Sequence, residues 1–299
     1  GVIRYVSIRH GGTDIGEGNE INGLTLGGVG SGTTIEYVEV VANKDDGIEF
    51  FGGMPNIKHA LVSYCGDDSY DYDEGYRGKG QFWVAIQDAA AGDRIGEFDG
   101  GTSPETAQPY AIPHLYNMTF IGRGAEAGRR TMTLRDNAGG FFYNCIFANQ
   151  GRGIDVEVLI GEQNSFKQLE DGNLGIGNCV FSDVLDGSAN FTISFVGDSV
   201  DAQGNDVLED PTDPDSDQLP TAALQAKVAA ASTVFASNFS FWGNSTMSMG
   251  LSASNPVPSS TPSSVDPEDA WFENVSYLGA FEPGVANHWA KGWTRTFAE

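Results

Sequence analysis

The chain is poor in basic residues, in cysteine, in histidine and in long apolar runs, and each shortage removes a class of function. Only 16 Lys and Arg stand against 41 Asp and Glu in 299 residues, a formal charge of −25. Phosphate recognition relies on Lys and Arg neutralising the backbone, so no nucleic acid and no anionic membrane surface is expected as a partner. Cations suit such a surface; the plainer account of the same acidity is solubility or a salty habitat. No apolar stretch is long enough to cross a bilayer and no leader is visible, so no membrane span is expected. The three cysteines, Cys65, Cys145 and Cys179, form no CxxC and no Cys/His metal spacing. The four histidines, at 10, 59, 114 and 288, are scattered, and no nucleophile elbow or Ser/His/Asp order appears.

What is present is glycine, 40 residues of it, with 11% aromatics and only 19% charged residues. That mixture suits short strands between tight turns. A six-residue phrase recurs: IRYVSI from Ile3, IEYVEV from Ile35, IKHALV from Ile57, LYNMTF from Leu115, FYNCIF from Phe142, IGNCVF from Ile176 and ASNFSF from Ala236. Its starts differ by 32, 22, 58, 27, 34 and 60 residues, the two long gaps being close to twice the short ones. Self-similarity at this period signals stacked repeats. In Ile35 to Val40, Ile35 and Tyr37 share one parity while Val38 and Val40 share the other. A strand that buries both sets must turn a corner at the third residue. Later copies put Asn117, Asn144, Asn178 and Asn238 there, and Asn both tolerates the left-handed conformation and can form ladders. Cys145 and Cys179 share one place in two copies and are read as stacked core thiols; a disulfide between them needs geometry that sequence does not supply. His59 takes the corner position of its copy and His10 is expected in a corner turn.

The fold class expected is all-β, a right-handed parallel β-helix, in one domain over residues 1–299. Residues 1–200 form rungs, 201–233 an acidic loop and a short helix (TAALQAKVAAAST), 234–249 a further rung, and 250–299 a Ser/Pro-rich loop with an aromatic-rich C-terminal cap. A β-propeller is the rival, but no blade signature of four antiparallel strands appears. The chain starts inside a repeat, at GVIRYVSI, so either upstream residues or another chain is expected to cover the first rung, and self-association through terminal rungs follows as one option.

The strings NEINGLTLGGVGSGTTIEYVEV, DDGIEFFGG, GDDSYDYDEGYRGKGQFW and YLGAFEPG with GWT resemble a group of secreted bacterial β-helix surface proteins related in fold to the pectate-lyase-like superfamily. The resemblance covers nearly the whole chain. It implies the fold and an extracellular or cell-surface location, while members mostly lack an assigned activity. They resemble longer precursors with a signal peptide and further N-terminal rungs.

The densest chemistry is Asp67, Asp68, Asp71, Asp73 and Glu74, five carboxylates within eight residues, followed by Arg77 and Lys79. Hard cations such as Ca²⁺ take six to eight oxygens, and clustered Asp and Glu with glycine nearby can supply them. Asp71 and Asp73 would share one face of a strand, with Asp45, Asp46 and Glu49 about one rung earlier. The plainer account pairs the acids with Arg77, Lys79 or backbone N–H groups. Asp213, Asp215 and Asp217 alternate like part of a calcium loop but lack its glycine and closing glutamate. GGVGSG lacks the Lys-Ser/Thr ending of a phosphate loop and reads as turns. The N-x-S/T triplets at Asn117, Asn190, Asn238, Asn244 and Asn274 read as coincidence.

Three functions are compatible with these features: an extracellular structural or adhesive protein, a polysaccharide lyase or glycoside hydrolase, and a carbohydrate-binding module. For catalysis the candidate acids are Asp67, Asp68, Glu97 and Asp99, with Arg135, Arg129, Arg130 or Lys79 as base or substrate clamp. For sugar binding the candidates are Tyr70, Tyr72, Tyr76, Phe82 and Trp83, provided that they face outward.

Overall fold

The computed structural model describes residues 1–13, 15–16, 21–158, 164–186, 189–190, 193–197, 199–200, 206–207, 233–235 and 269–298. The acidic triplet at 213–217, the alanine-rich helix, the ASNFSF copy and the Ser/Pro-rich loop lie outside these residues.

Each coil has two legs that meet at a corner, and a third strand closes it. Val2–Arg9, Thr34–Val41, Asn56–Ser63 and Lys79–Ile86 run through both legs, pairing in parallel and in register. In later coils the two legs are separate strands: His114–Tyr116 and Thr119–Gly124, Gly140–Tyr143 and Ile146–Gln150, Leu174–Gly177 and Cys179–Asp186. The third face is a seven-stranded parallel sheet of Leu24–Gly27, Ile48–Phe51, Tyr70–Asp73, Gly96–Asp99, Arg130–Arg135, Arg152–Val158 and Ile193–Gly197. The architecture is a parallel β-helix. Among the described residues no helix is long and apolar enough to cross a membrane.

The corner is the left-handed residue foreseen from the phrase. Tyr5, Tyr37, His59, Phe82, Asn117, Asn144 and Asn178 all have φ between 53° and 60°. Phe82 marks a copy that the phrase conceals. Gly80 pairs with both Ile57 and Leu115, so GQFWVA is the rung inside the 58-residue gap, unrecognised because glycine opens it and phenylalanine turns it. His10 also has positive φ, at 54°, as expected of a corner turn.

Left-handed backbone costs a residue with a Cβ roughly 1–2 kcal/mol, a cost that Asn lowers by local hydrogen bonding. Asn178 Nδ2 donates to Asn144 Oδ1 at 2.7 Å, and Gln81 Nε2 donates to Asn117 Oδ1 at 3.2 Å. The aromatic corners are stabilised differently, by stacking. Tyr5 lies on Tyr37 at 4.6 Å, Tyr37 on His59 at 4.5 Å, and His59 on Phe82 at 5.0 Å. Each such contact contributes about 0.5–1.5 kcal/mol beyond burial, enough to offset most of the backbone cost.

Inside the coils, Tyr70, Tyr72, Tyr76, Phe50, Trp83 and Phe98 are fully buried and stack between coils, as Tyr72 does on Phe98 at 4.1 Å. Their polar atoms reach backbone carbonyls: Tyr70 to Val84, Tyr72 to Gly139, Tyr76 to Pro55 and the Trp83 indole to Ile57. Cys145 and Cys179 sit on neighbouring coils as buried free thiols, beside the paired Ile146 and Val180.

The C-terminal segment, expected to cap an open end, lies instead along the side of the coils. The outer side of the second leg carries Leu61, Val84, Ile121, Ile146 and Val180, and Leu278, Ala280, Phe281, Ala290 and Phe297 cover it. The alternating apolar pattern of the second leg thus feeds two cores, one inside the coil and one beneath this strap. Trp289 packs on His59 at 5.0 Å and Trp293 on Tyr5 at 5.5 Å. Glu39, with no solvent exposure, accepts the backbone N–H groups of Arg295 and Thr296 at 2.8 and 2.9 Å and the Ser7 hydroxyl at 2.5 Å. The only described helix with α geometry is Ser165–Glu170, capped by Asn164 Oδ1, which accepts from the Lys167 N–H at 3.1 Å.

Glu39→Leu should lower stability by about 2–4 kcal/mol, because two strap N–H groups lose their acceptor in a buried site; urea denaturation measures it. His59 supplies a pH test. Burial among the rings pushes its imidazole down to about 4 from 6.5, with Glu273 opposing weakly. Between those values the unfolded chain binds the proton and the fold does not, so stability falls as pH falls through that window. His59→Phe keeps a ring in the stack and should remove about 2–3 kcal/mol of that loss, read by comparing urea midpoints of parent and variant at about pH 7 and about pH 4.5.

Candidate functional site

Strand alternation on the third face sends Tyr70 and Tyr72 inward and Asp71 and Asp73 outward, as the shared-face expectation required. Parallel register then builds columns. Glu49, Asp71 and Glu97 stand opposite one another on three successive strands, continued by Thr133 and Asp155. Beside them Phe51 stands opposite Asp73, and Asp99 opposite Arg135. The turn before each strand adds Asp46, Asp67, Asp68 and Asp93. The carboxylates of Asp46 and Asp68 brace this edge by accepting backbone N–H groups one coil on. Asp46 Oδ1 accepts from Asp68 at 2.9 Å, and Asp68 Oδ1 accepts from Arg94 at 2.5 Å.

Like charges stacked one strand apart repel, and the face answers unevenly. Glu97 meets Arg94 at 3.2 Å and Arg135 at 2.6 Å, Asp99 meets Arg135 at 2.8 Å, and Asp155 pairs with Arg130. Arg129 reaches Asp93 at 2.7 Å. Toward the N-terminal coils no such arginine among the described residues stands over Glu49 or Asp71. Burial, reinforced by Asp45, pushes the Asp46 carboxyl up to about 8. Glu49 is likewise raised to about 8 by burial and then Asp46, and Asp73 to about 7 by burial and then Glu74. Asp68, Asp71 and Asp99 are raised by burial as well, Asp99 against the opposing pull of Arg135.

Residues 1–243 match the pectate-lyase like beta helix domain family. The chain belongs to that family. Neither a curated protein nor a solved structure matches it. The matched stretch of this pectate-lyase-like β-helix contains all seven third-face strands and stops short of the strap at 269–298.

In this β-helix the five acids singled out as one cation loop are divided. Asp67 and Asp68 lie on the turn and group with Asp93, while Asp71 groups with Asp46 and Glu49; in each group, ligand atoms come within 4.8 Å of one another. Asp73 and Glu74 join neither group, and Glu74 is exposed at the far end of its strand with φ 47°. The adjacency of Asp46 and Glu49 to Asp71, one rung apart, is as anticipated. Arg77 and Lys79, expected as partners of these acids, point elsewhere: Arg77 Nε donates to the Tyr110 carbonyl at 2.9 Å, and Lys79 pairs with Asp269. Of the five, Asp68 meets an arginine, Arg94, at 3.9 Å, while Arg135 pairs with Glu97 and Asp99 on the next strand. Arg94 went unnoticed as a partner of Asp68 because the two lie 26 residues apart in sequence and meet only across coils.

Tyr70, Tyr72, Tyr76, Phe82 and Trp83 are all buried and offer no sugar platform. The exposed ring at the acidic face is Phe51, 38% exposed, with Met54 beyond it at 51%. The doublet in GIEFFGG held the signal: on a strand, one of two consecutive aromatics must face out.

Arg135→Met should leave Glu97 and Asp99 without that guanidinium. A loss of about 1–3 kcal/mol is expected by urea denaturation, below the full cost of breaking a buried pair because Arg135 is partly solvated.

Proposed function

We propose that this chain is an extracellular, non-enzymatic adhesive β-helix whose third face binds a neutral polysaccharide. The observation that carries the reading is Phe51, an exposed ring set on a rigid sheet between outward carboxyl groups, with Glu49 two residues before it and Asp73 opposite. Aromatic faces receive the apolar face of a sugar ring, and carboxyl groups bond its hydroxyls. A net charge of −25 disfavours an acidic polysaccharide, which is why the ligand is taken as uncharged. Rigid strands hold such contacts in place better than loops do.

One observation favours a second reading, glycoside hydrolysis: the Asp73 carboxyl, pushed up to about 7 by burial and then Glu74, neighbours Asp99, which Arg135 pairs at 2.8 Å, and two neighbouring carboxyl groups of which one can give up a proton are the minimum for acid-assisted cleavage. New reducing ends from a neutral polysaccharide panel would select it over adhesion.

The binding reading is tested on a glycan array and by calorimetric titration of the best hit. Phe51→Ala, an exposed position with little effect on folding, should weaken binding about tenfold, equivalent to about 1.4 kcal/mol. A blank array, or full affinity in the variant, would refute it.

A further inference from the structure

On the outer side of the first leg, register sets up two columns of rings. His114, Phe141 and Gly175 stand opposite one another on successive coils, and so do Tyr116, Tyr143 and Gly177. By ring centroid, His114 lies 4.7 Å from Phe141, and Tyr116 lies 5.7 Å from Tyr143. Both columns end in glycine, so the outward positions of the strand Leu174–Gly177 put no side chain over the last two rings. Phe141 and Tyr143 are 6.5 Å apart with their planes within 15° of each other. Both lean over the bare backbone of Gly175, where a Cβ would stand 2.6 Å from the Tyr143 hydroxyl and 3.0 Å from Phe141 Cδ1. The pair is therefore one flat apolar surface, half-buried and held on paired strands.

The start of the strap walls this surface on the side of Tyr116. Phe272 packs edge-on to Tyr116 at 4.6 Å, and Trp271 packs edge-on to Phe272 at 4.9 Å. The ionic groups beside the wall are already paired, Lys79 with Asp269 and Lys58 with Glu273 at 3.1 Å. A charged ligand would have to break one of these pairs, whereas a neutral one would not. Two near-parallel rings form a plane rather than a hole, which suits a flat apolar face better than a protruding side chain. Pyranose rings joined by equatorial β-linkages present such faces, built of axial C–H groups, with hydroxyls at the edge for the Tyr143 hydroxyl to bond.

We propose that Phe141 and Tyr143 form a second binding platform, on the outer side of the first leg and separate from Phe51, for the flat face of a neutral β-linked polysaccharide. The platform shares with the third-face reading only the uncharged class of ligand.

The full chain is titrated with cellohexaose by calorimetry and depleted from solution with microcrystalline cellulose. The parent should bind both probes. Phe141→Ala and Tyr143→Ala should each weaken cellohexaose about tenfold, while Phe51→Ala should bind it as the parent does. Gly175→Ala keeps both rings but displaces the Tyr143 ring, and should weaken binding as well; it supplies the answer if removing a ring unsettles the coil. No binding of either probe by the parent would overturn the platform, as would unchanged affinity in both ring variants. Equal affinity for the α-linked maltohexaose would overturn the flat-face argument and the assignment with it. A dimer seen by light scattering and lost in Tyr143→Ala, without glycan binding, would make the surface a contact between copies and overturn the proposal. Loss confined to Phe51→Ala would overturn the platform and leave the third-face reading standing, whereas loss confined to the Phe141 and Tyr143 variants supports the platform and counts against the third face, so the two readings fail separately.

Discussion

In-register parallel stacking governs this molecule. When each coil lays its backbone directly over the last, a residue stands on its counterpart, and a repeat in sequence becomes a column in space. Columns of like residues are favourable when the residues are aromatic, amide or aliphatic. Stacked rings at Tyr5, Tyr37, His59 and Phe82, and the bonded pair Asn144 and Asn178, are the result at the corner. Each contact is worth about 1 kcal/mol, but together they hold seven left-handed residues in phase.

Register makes carboxylates the exception. Glu49, Asp71 and Glu97 repeat outward for the same geometric reason that Ile48, Tyr70 and Gly96 repeat inward, and like charges then face each other at strand spacing. The chain meets the strain with Arg135 from the neighbouring strand at Glu97 and Asp99, and with burial that favours the neutral carboxyl at Glu49. A face that tolerates this tension across several coils is one place where activity in a scaffold of repeats is to be sought, since the second leg is occupied by core, corner and strap.

The strap shows how much of a chain's apolar pattern belongs to partners far along the sequence. Val84, Ile146 and Val180 are outward residues of their strands, yet they are buried because Leu278, Phe281 and Phe297 lie over them. Read locally, those positions would be assigned to the coil interior. The two cores and the Glu39 anchor make the strap part of the fold.

The amino-acid sequence by itself determined the coil, its corner and its inward columns, because these rest on local alternation and on one left-handed residue per repeat. It also marked Asp46, Glu49 and Asp71 as acids one rung apart. Only tertiary structure decided which acids share a point. Whether Glu74 joins Asp71 depends on where the strand ends, and whether Arg94 or Arg77 neutralises them depends on the path of the intervening turn. The same holds for Phe51, whose exposure is fixed by what failed to cover its strand, and for the strap, whose place along the side rather than over an end was set by an apolar surface assembled from coils distant in sequence. Periodicity is written in neighbouring residues, whereas the meeting of side chains across coils depends on loop lengths and register that no local pattern encodes.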